Sequence, residues 1–176
     1  MEFIDLVKLR QSDRKYINKP VARELILSCL EAARLAPSAC NSQPWKFVVV
    51  DSPEFLPEIA NAAAGMGMNK WAKEAPVIVA VVLEKMNLTA RIGSVIKDKE
   101  YSLLDVGIAV EHFCLQAAEL GLGTCIMGWF DEKRVQKLLC IKNRRIPLLI
   151  SLGYSAADTR DKSRKKLEEM SSWNKY

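Results

Sequence analysis

Ala75 to Leu83 is the longest apolar run in the chain, and five of its nine residues are β-branched. An unbroken run of this kind, opened by Pro76, reads as a strand buried on both faces of a sheet. At nine residues it falls far short of what a membrane crossing requires, which is roughly 20. A strand covered on both faces needs a further layer above and below its sheet.

The rest of the chain offers helices for those layers. Leu103, Val106, Val110, Phe113, Ala117 and Leu120 recur at steps of three and four. They predict the longest helix over about 102–120, with Asp105, His112, Gln116 and Glu119 on its polar side and Gly121 as its stop. Phe3, Ile4, Leu6, Val7 and Leu9 predict a short first helix. Asn18-Lys19-Pro20 is expected to cap and start a second, in which Ala22, Ile26, Cys29, Leu30 and Ala33 share a face. Phe47 to Val50 reads as a strand, and Asp51-Ser52-Pro53 turns the chain into a short helix. Gly65-Met66-Gly67-Met68 breaks the alanine-rich stretch, and Trp71 begins a lid or another helical turn. Thr124 to Met127 suits a short strand, Asp131 to Leu139 a helix and Ile146 to Tyr154 a last central strand. Helices outnumber short, central strands, which favours an α+β three-layer sandwich. No linker divides residues 1–176, so one domain is expected.

Between the second helix and the first strand lies the segment Ala36-Pro37-Ser38-Ala39-Cys40-Asn41-Ser42-Gln43-Pro44-Trp45. Its prolines end a helix and start a strand, and Ser38, Asn41, Ser42 and Gln43 crowd hydrogen-bonding groups between them. A purely structural turn of this length manages with one or two such residues. The loop suits a polar, planar ligand. Near the start, Arg10, Ser12 and Arg14 alternate with Gln11 and Asp13. In an extended segment this spacing aims two guanidinium forks and a hydroxyl at one anion, unless it is only a solvated link between helices. Lys162-Ser163-Arg164-Lys165-Lys166 forms a second basic group near the end.

A formal charge of +5 distributed over separate clusters at 8–23, 133–145 and 160–166 fits phosphate capture. Aromatic side chains are not interleaved with those clusters as on a single-strand binding face, which argues against nucleic acid. Five cysteines without a C-x-x-C pair, and a single histidine, leave no ready zinc site or disulfide framework. Reduced thiols are expected, and Cys40 and His112 are not expected to form a catalytic pair. The G-x-G pairs at Gly65 and Gly121 are too short for a dinucleotide fingerprint, and no P-loop, H-E-x-x-H or G-x-S-x-G occurs. Met-Glu-Phe-Ile-Asp at the start lacks a secretory pattern, so a cytoplasmic location is expected.

Taken in order, Arg10 to Arg14, the Pro37 to Asn41 loop, the helix followed by Gly121-Leu122-Gly123-Thr124, and Lys162 to Leu167 resemble the flavin-dependent nitroreductases from about residue 3 to about residue 168. The resemblance implies an intertwined homodimer with a central mixed, largely antiparallel sheet. It also implies FMN as cofactor, NADH or NADPH as co-substrate and a small aromatic acceptor such as a nitroaromatic or a quinone. Carried over position by position, it assigns Arg10, Ser12, Arg14, Lys162 and Arg164 to the phosphate end of FMN, with Lys165 a substitute within one residue of register, and counts Gln11 among the cofactor-binding residues. Pro37, Ser38, Ala39 and Asn41 are assigned to the flavin ring of the partner subunit, and the backbone of Met127 and Gly128 to the reactive edge of the ring. Ala39 stands where the family often has a hydroxyl, and Met127 where some relatives have glutamate. The absence of an acid–base set agrees with chemistry carried by a flavin. A non-catalytic flavin or nucleotide binder of the same fold is the alternative.

Overall fold

The computed structural model describes residues 1–176. The apolar run forms β2, Val77–Leu83, and its side chains alternate between two cores. Val77, Val79 and Val81 meet Ile26, Cys29, Val106, Val110 and Phe113 on one face. Ile78, Ala80 and Val82 meet Ile59, Ala63, Val135 and Leu149 on the other. Each core is covered by helices: α2 (Arg23–Arg34) and α5 (Tyr101–Glu119) above the first, α3 (Leu56–Ala63) and α6 (Glu132–Leu138) above the second. The three-layer α+β sandwich follows from that alternation.

β1 (Trp45–Val50) and β4 (Leu148–Gly153) flank β2, and β3 (Gly123–Met127) lies beyond β4, giving the order β1-β2-β4-β3. Val79 sits opposite Val49 on one side and Ile150 on the other. All three strand pairs are antiparallel. The parallel element is one bridge from Ser12 to Thr124, which lays the Arg10–Arg14 segment along β3. α1 (Phe3–Leu9) rests against α5. No helix is long and apolar enough to cross a membrane.

Several boundaries differ from the sequence expectation for local reasons. α2 begins at Arg23 after an extended Ala22, not at Asn18–Pro20. The Ile17 N–H donates to the Tyr154 carbonyl (2.9 Å) and the Lys19 ammonium lies over the Tyr154 ring, so this stretch runs along the end of β4 instead. β4 starts at Leu148 because the Ile146 N–H is taken by the Glu132 carboxylate at 2.8 Å. Trp71 falls in a 3-10 turn, Lys70–Glu74. Asp105, expected on the polar side of α5, is buried, whereas Leu103, Leu104 and Ile108 of that helix are exposed. α4 (Leu88–Lys97) and the single turn α7 (Leu167–Met170) are additional to the elements expected from the sequence.

Candidate functional site

The Arg10–Arg14 segment leaves α1 in an extended path and is held there from both sides. The Asp13 N–H donates to the Thr124 carbonyl at 2.8 Å, and the Tyr16 hydroxyl donates to the Asp13 carbonyl at 2.8 Å. Gly123 permits the approach, since a Cβ there would lie 2.8 Å from the Asp13 carboxyl carbon. Buried Asp13 accepts from the Ser155 hydroxyl (2.7 Å) and the Gln11 amide (3.0 Å), so its charge is met by hydrogen bonds.

That geometry sets a cavity of 330 Å³ between two distant parts of the chain. Arg10, Gln11, Ser12 and Arg14 form one wall, and Arg160, Asp161, Lys162, Ser163 and Arg164 the other, with no apolar side chain among them. Its members act differently. The Lys162 ammonium is spent on the Val7 and Arg10 carbonyls, capping the end of α1. Desolvation, together with the Arg10 and Arg164 charges, lowers its pKa. Arg10 pairs with Glu111 at 3.4 Å. Arg14 and Arg164 have no carboxylate partner. The Gln11 side chain is a seam: it accepts from the Arg160 N–H (3.0 Å) and donates to the Asp158 carbonyl (3.1 Å). Arg160 closes the seam by donating to the Ser12 carbonyl at 2.7 Å.

The polar loop contains a 3-10 turn, Ala39–Asn41, and its Cys40, Asn41 and Gln43 all have positive φ, near 50°. Left-handed non-glycine residues in such density need external support. Ser38 Oγ accepts the Gln43 N–H (2.9 Å), and the Gln43 amide donates to Asn41 Oδ1 (2.9 Å). Both Asp105 oxygens lie 3.1 Å from the Ala39 N–H, which explains why this carboxylate is turned inward. Pro37, Ser38, Ala39 and Asn41 line no part of the basic cavity of their own chain. At the end of β3 the Met127 side chain is packed in the second core, while Gly128 is exposed. The Met127 side chain is therefore not available to a ligand.

Known proteins resemble this chain in sequence and in fold. The family model described as the nitroreductase family matches residues 7–74 and 65–154. The chain belongs to the nitroreductase family. A Methanothermobacter thermautotrophicus relative with the provisional name NADH dehydrogenase/NAD(P)H nitroreductase is 34% identical over 92% of this chain and 82% of its own. The Thermus thermophilus NADH dehydrogenase is 29% identical, over 93% of this chain and 92% of its own. Among solved structures, an FMN-dependent nitroreductase from Clostridium difficile R20291 superposes with a TM-score of 0.80 at 26% identity. The superposition covers 99% of this chain and 100% of that one.

Within this nitroreductase-family chain, the residues drawn together are Arg10, Gln11, Ser12, Arg14, Lys162 and Arg164. Arg160, Asp161 and Ser163 complete the wall; only the basic cluster at 160–166 hinted at Arg160. Of the thiols, Cys125 lies beside Ser12 and Arg14 of the cavity and Cys40 lies in the polar loop. Burial pushes Cys29 to about 12 and Cys114 to about 11, and raises Cys125 despite the nearby Arg14 charge, so these three thiols stay protonated near neutrality. Cys40 is exposed, and His112 Nδ1 lies 3.3 Å from the Ala32 carbonyl at the junction of α2 and α5.

Proposed function

We propose that residues 1–176 act as one FMN-binding domain of a homodimeric oxidoreductase that passes reducing equivalents from NADH or NADPH to nitroaromatics, quinones or related small aromatic acceptors. The observation that carries this reading is the cavity in which Arg14 and Arg164, neither neutralised by a carboxylate, converge with Arg10 and the Ser12 hydroxyl. A phosphate monoester dianion fits that donor set, since planar guanidinium forks match its oxygens in pairs. The seam of Gln11 and Arg160 and the Lys162 cap hold the two walls at a fixed separation before a ligand arrives.

When bound, FMN supplies hydride acceptance from NAD(P)H and its onward delivery in a ping-pong cycle. The chain's part is to anchor the phosphate, offer the Met127–Gly128 backbone to the ring and present the Pro37–Asn41 loop to a second subunit. Support for the dimer comes from exposed Leu35, Leu103, Leu104 and Ile108 beside that loop and along α5, and from the unpaired outer edge of β1.

The test is steady-state oxidation of NADH and of NADPH by FMN-loaded protein against a panel of quinones and nitroaromatics. Turnover with at least one acceptor is expected; bound flavin without turnover would instead make the chain a binder. Since the chemistry is the cofactor's, Cys40→Ala and His112→Gln should each keep flavin-dependent NAD(P)H oxidation within about threefold, under about 1 kcal/mol of barrier. A loss on the order of a thousandfold in either, with FMN retained, would route the reaction through the protein.

A further inference from the structure

Asn87 lies outside every motif read from the sequence, yet its groups bind two structures at once. Its side-chain oxygen accepts the Ala90 N–H at 2.9 Å and so caps α4. Its side-chain nitrogen donates to the Cys40 carbonyl at 2.8 Å, and its backbone N–H donates to Ser42 Oγ at 2.8 Å. The Cys40 carbonyl belongs to the peptide joining two left-handed residues, Cys40 (φ 50°) and Asn41 (φ 51°). Fixing that carbonyl fixes the direction in which Asn41 points. On the other side of the loop, buried Asp105 holds the Ala39 N–H. The strained turn is thus gripped at a donor and an acceptor one residue apart.

We propose that Asn87 is a positioning residue for the polar loop: by holding the Cys40–Asn41 peptide it keeps the left-handed turn in the conformation presented to the flavin, and it ties that conformation to the capping of α4. This rests on the reading that the loop contacts FMN. The amide is suited to both tasks because it carries an acceptor and a donor on one planar group, whereas a carboxylate retains only the acceptor. A carboxylate at position 87 could still cap α4 but would repel the Cys40 carbonyl.

The variants Asn87→Asp and Asn87→Ala separate the two tasks. Hydrogen exchange is followed in the flavin-free protein over residues 39–43 and 88–97, alongside FMN titration of each variant. Asn87→Asp is expected to speed exchange at Asn41 to Gln43 about tenfold and to weaken FMN about tenfold, with α4 exchange unchanged. Asn87→Ala should loosen both segments. The proposal is overturned if Asn87→Asp matches the wild type in loop exchange and FMN affinity while Asn87→Ala loosens α4 alone, for Asn87 would then be a helix cap only. Failure of the wild-type chain to bind FMN, with loop exchange still responding to Asn87→Asp, would contradict the flavin reading and support the clamp.

Discussion

Arg14→Ala and Arg164→Ala are each expected to weaken FMN binding by roughly ten- to hundredfold, the cost of about 1.5–3 kcal/mol for a charge-assisted hydrogen bond. Both side chains line the basic cavity, and neither has a carboxylate to neutralise it. Removing either therefore leaves no stranded acid, and the loss reports on the ligand. Arg10 differs, because Arg10→Ala would also release Glu111 from its 3.4 Å pair and add that negative charge beside the site. Lys165 is a register alternative to Arg164 in the sequence, but Arg164 is the residue that lines the cavity. Titration of flavin-free protein by fluorescence quenching measures the effect. Unchanged affinity in both variants, with the fold intact, would remove the phosphate assignment.

The largest stability effect is expected at Phe113. Its ring is fully buried on α5, stacked on Phe47 of β1 with centroids 5.9 Å apart, and it belongs to the core beneath α2 and α5. Phe113→Ala removes a ring from a close-packed site whose walls are a sheet and two helices, so little collapse can fill the cavity. The expected loss is about 3–5 kcal/mol, read from the urea midpoint of flavin-free protein at unchanged slope. A loss below about 1 kcal/mol would mean that this face of the sheet is not the packed core described above.

Elements with a strong period or an unbroken apolar run were legible: β2 from its β-branched run, α5 from its steps of three and four, and the α6 start from Asp131, whose side chain accepts the Arg134 N–H. α4 carries helical spacing at Leu88, Ile92, Val95 and Ile96 but is absent from the sequence expectation; those side chains are largely exposed in the chain, and its start depends on a cap that also serves the loop. Asp105 was misread for a related reason. Spacing places it on the polar face of α5, but the Ala39 N–H that draws it inward lies far away in sequence. At the site, residue types point to phosphate donors, whereas the partners that each side chain already has are set by the fold. Lys162 reads as a phosphate contact in sequence and is a cap on α1 in space. Gln11 reads as a cofactor contact in sequence and is the seam between the two walls in space.

The central claim is that this chain uses bound FMN to accept electrons from NAD(P)H, and rapid anaerobic mixing of the FMN-loaded protein with NADH or NADPH tests it most directly. The oxidised flavin absorbance should bleach with at least one of the two, with one nicotinamide oxidised per flavin, and should return when a quinone is added. Flavin that stays oxidised with both nucleotides, in protein that holds FMN stoichiometrically, would contradict the account.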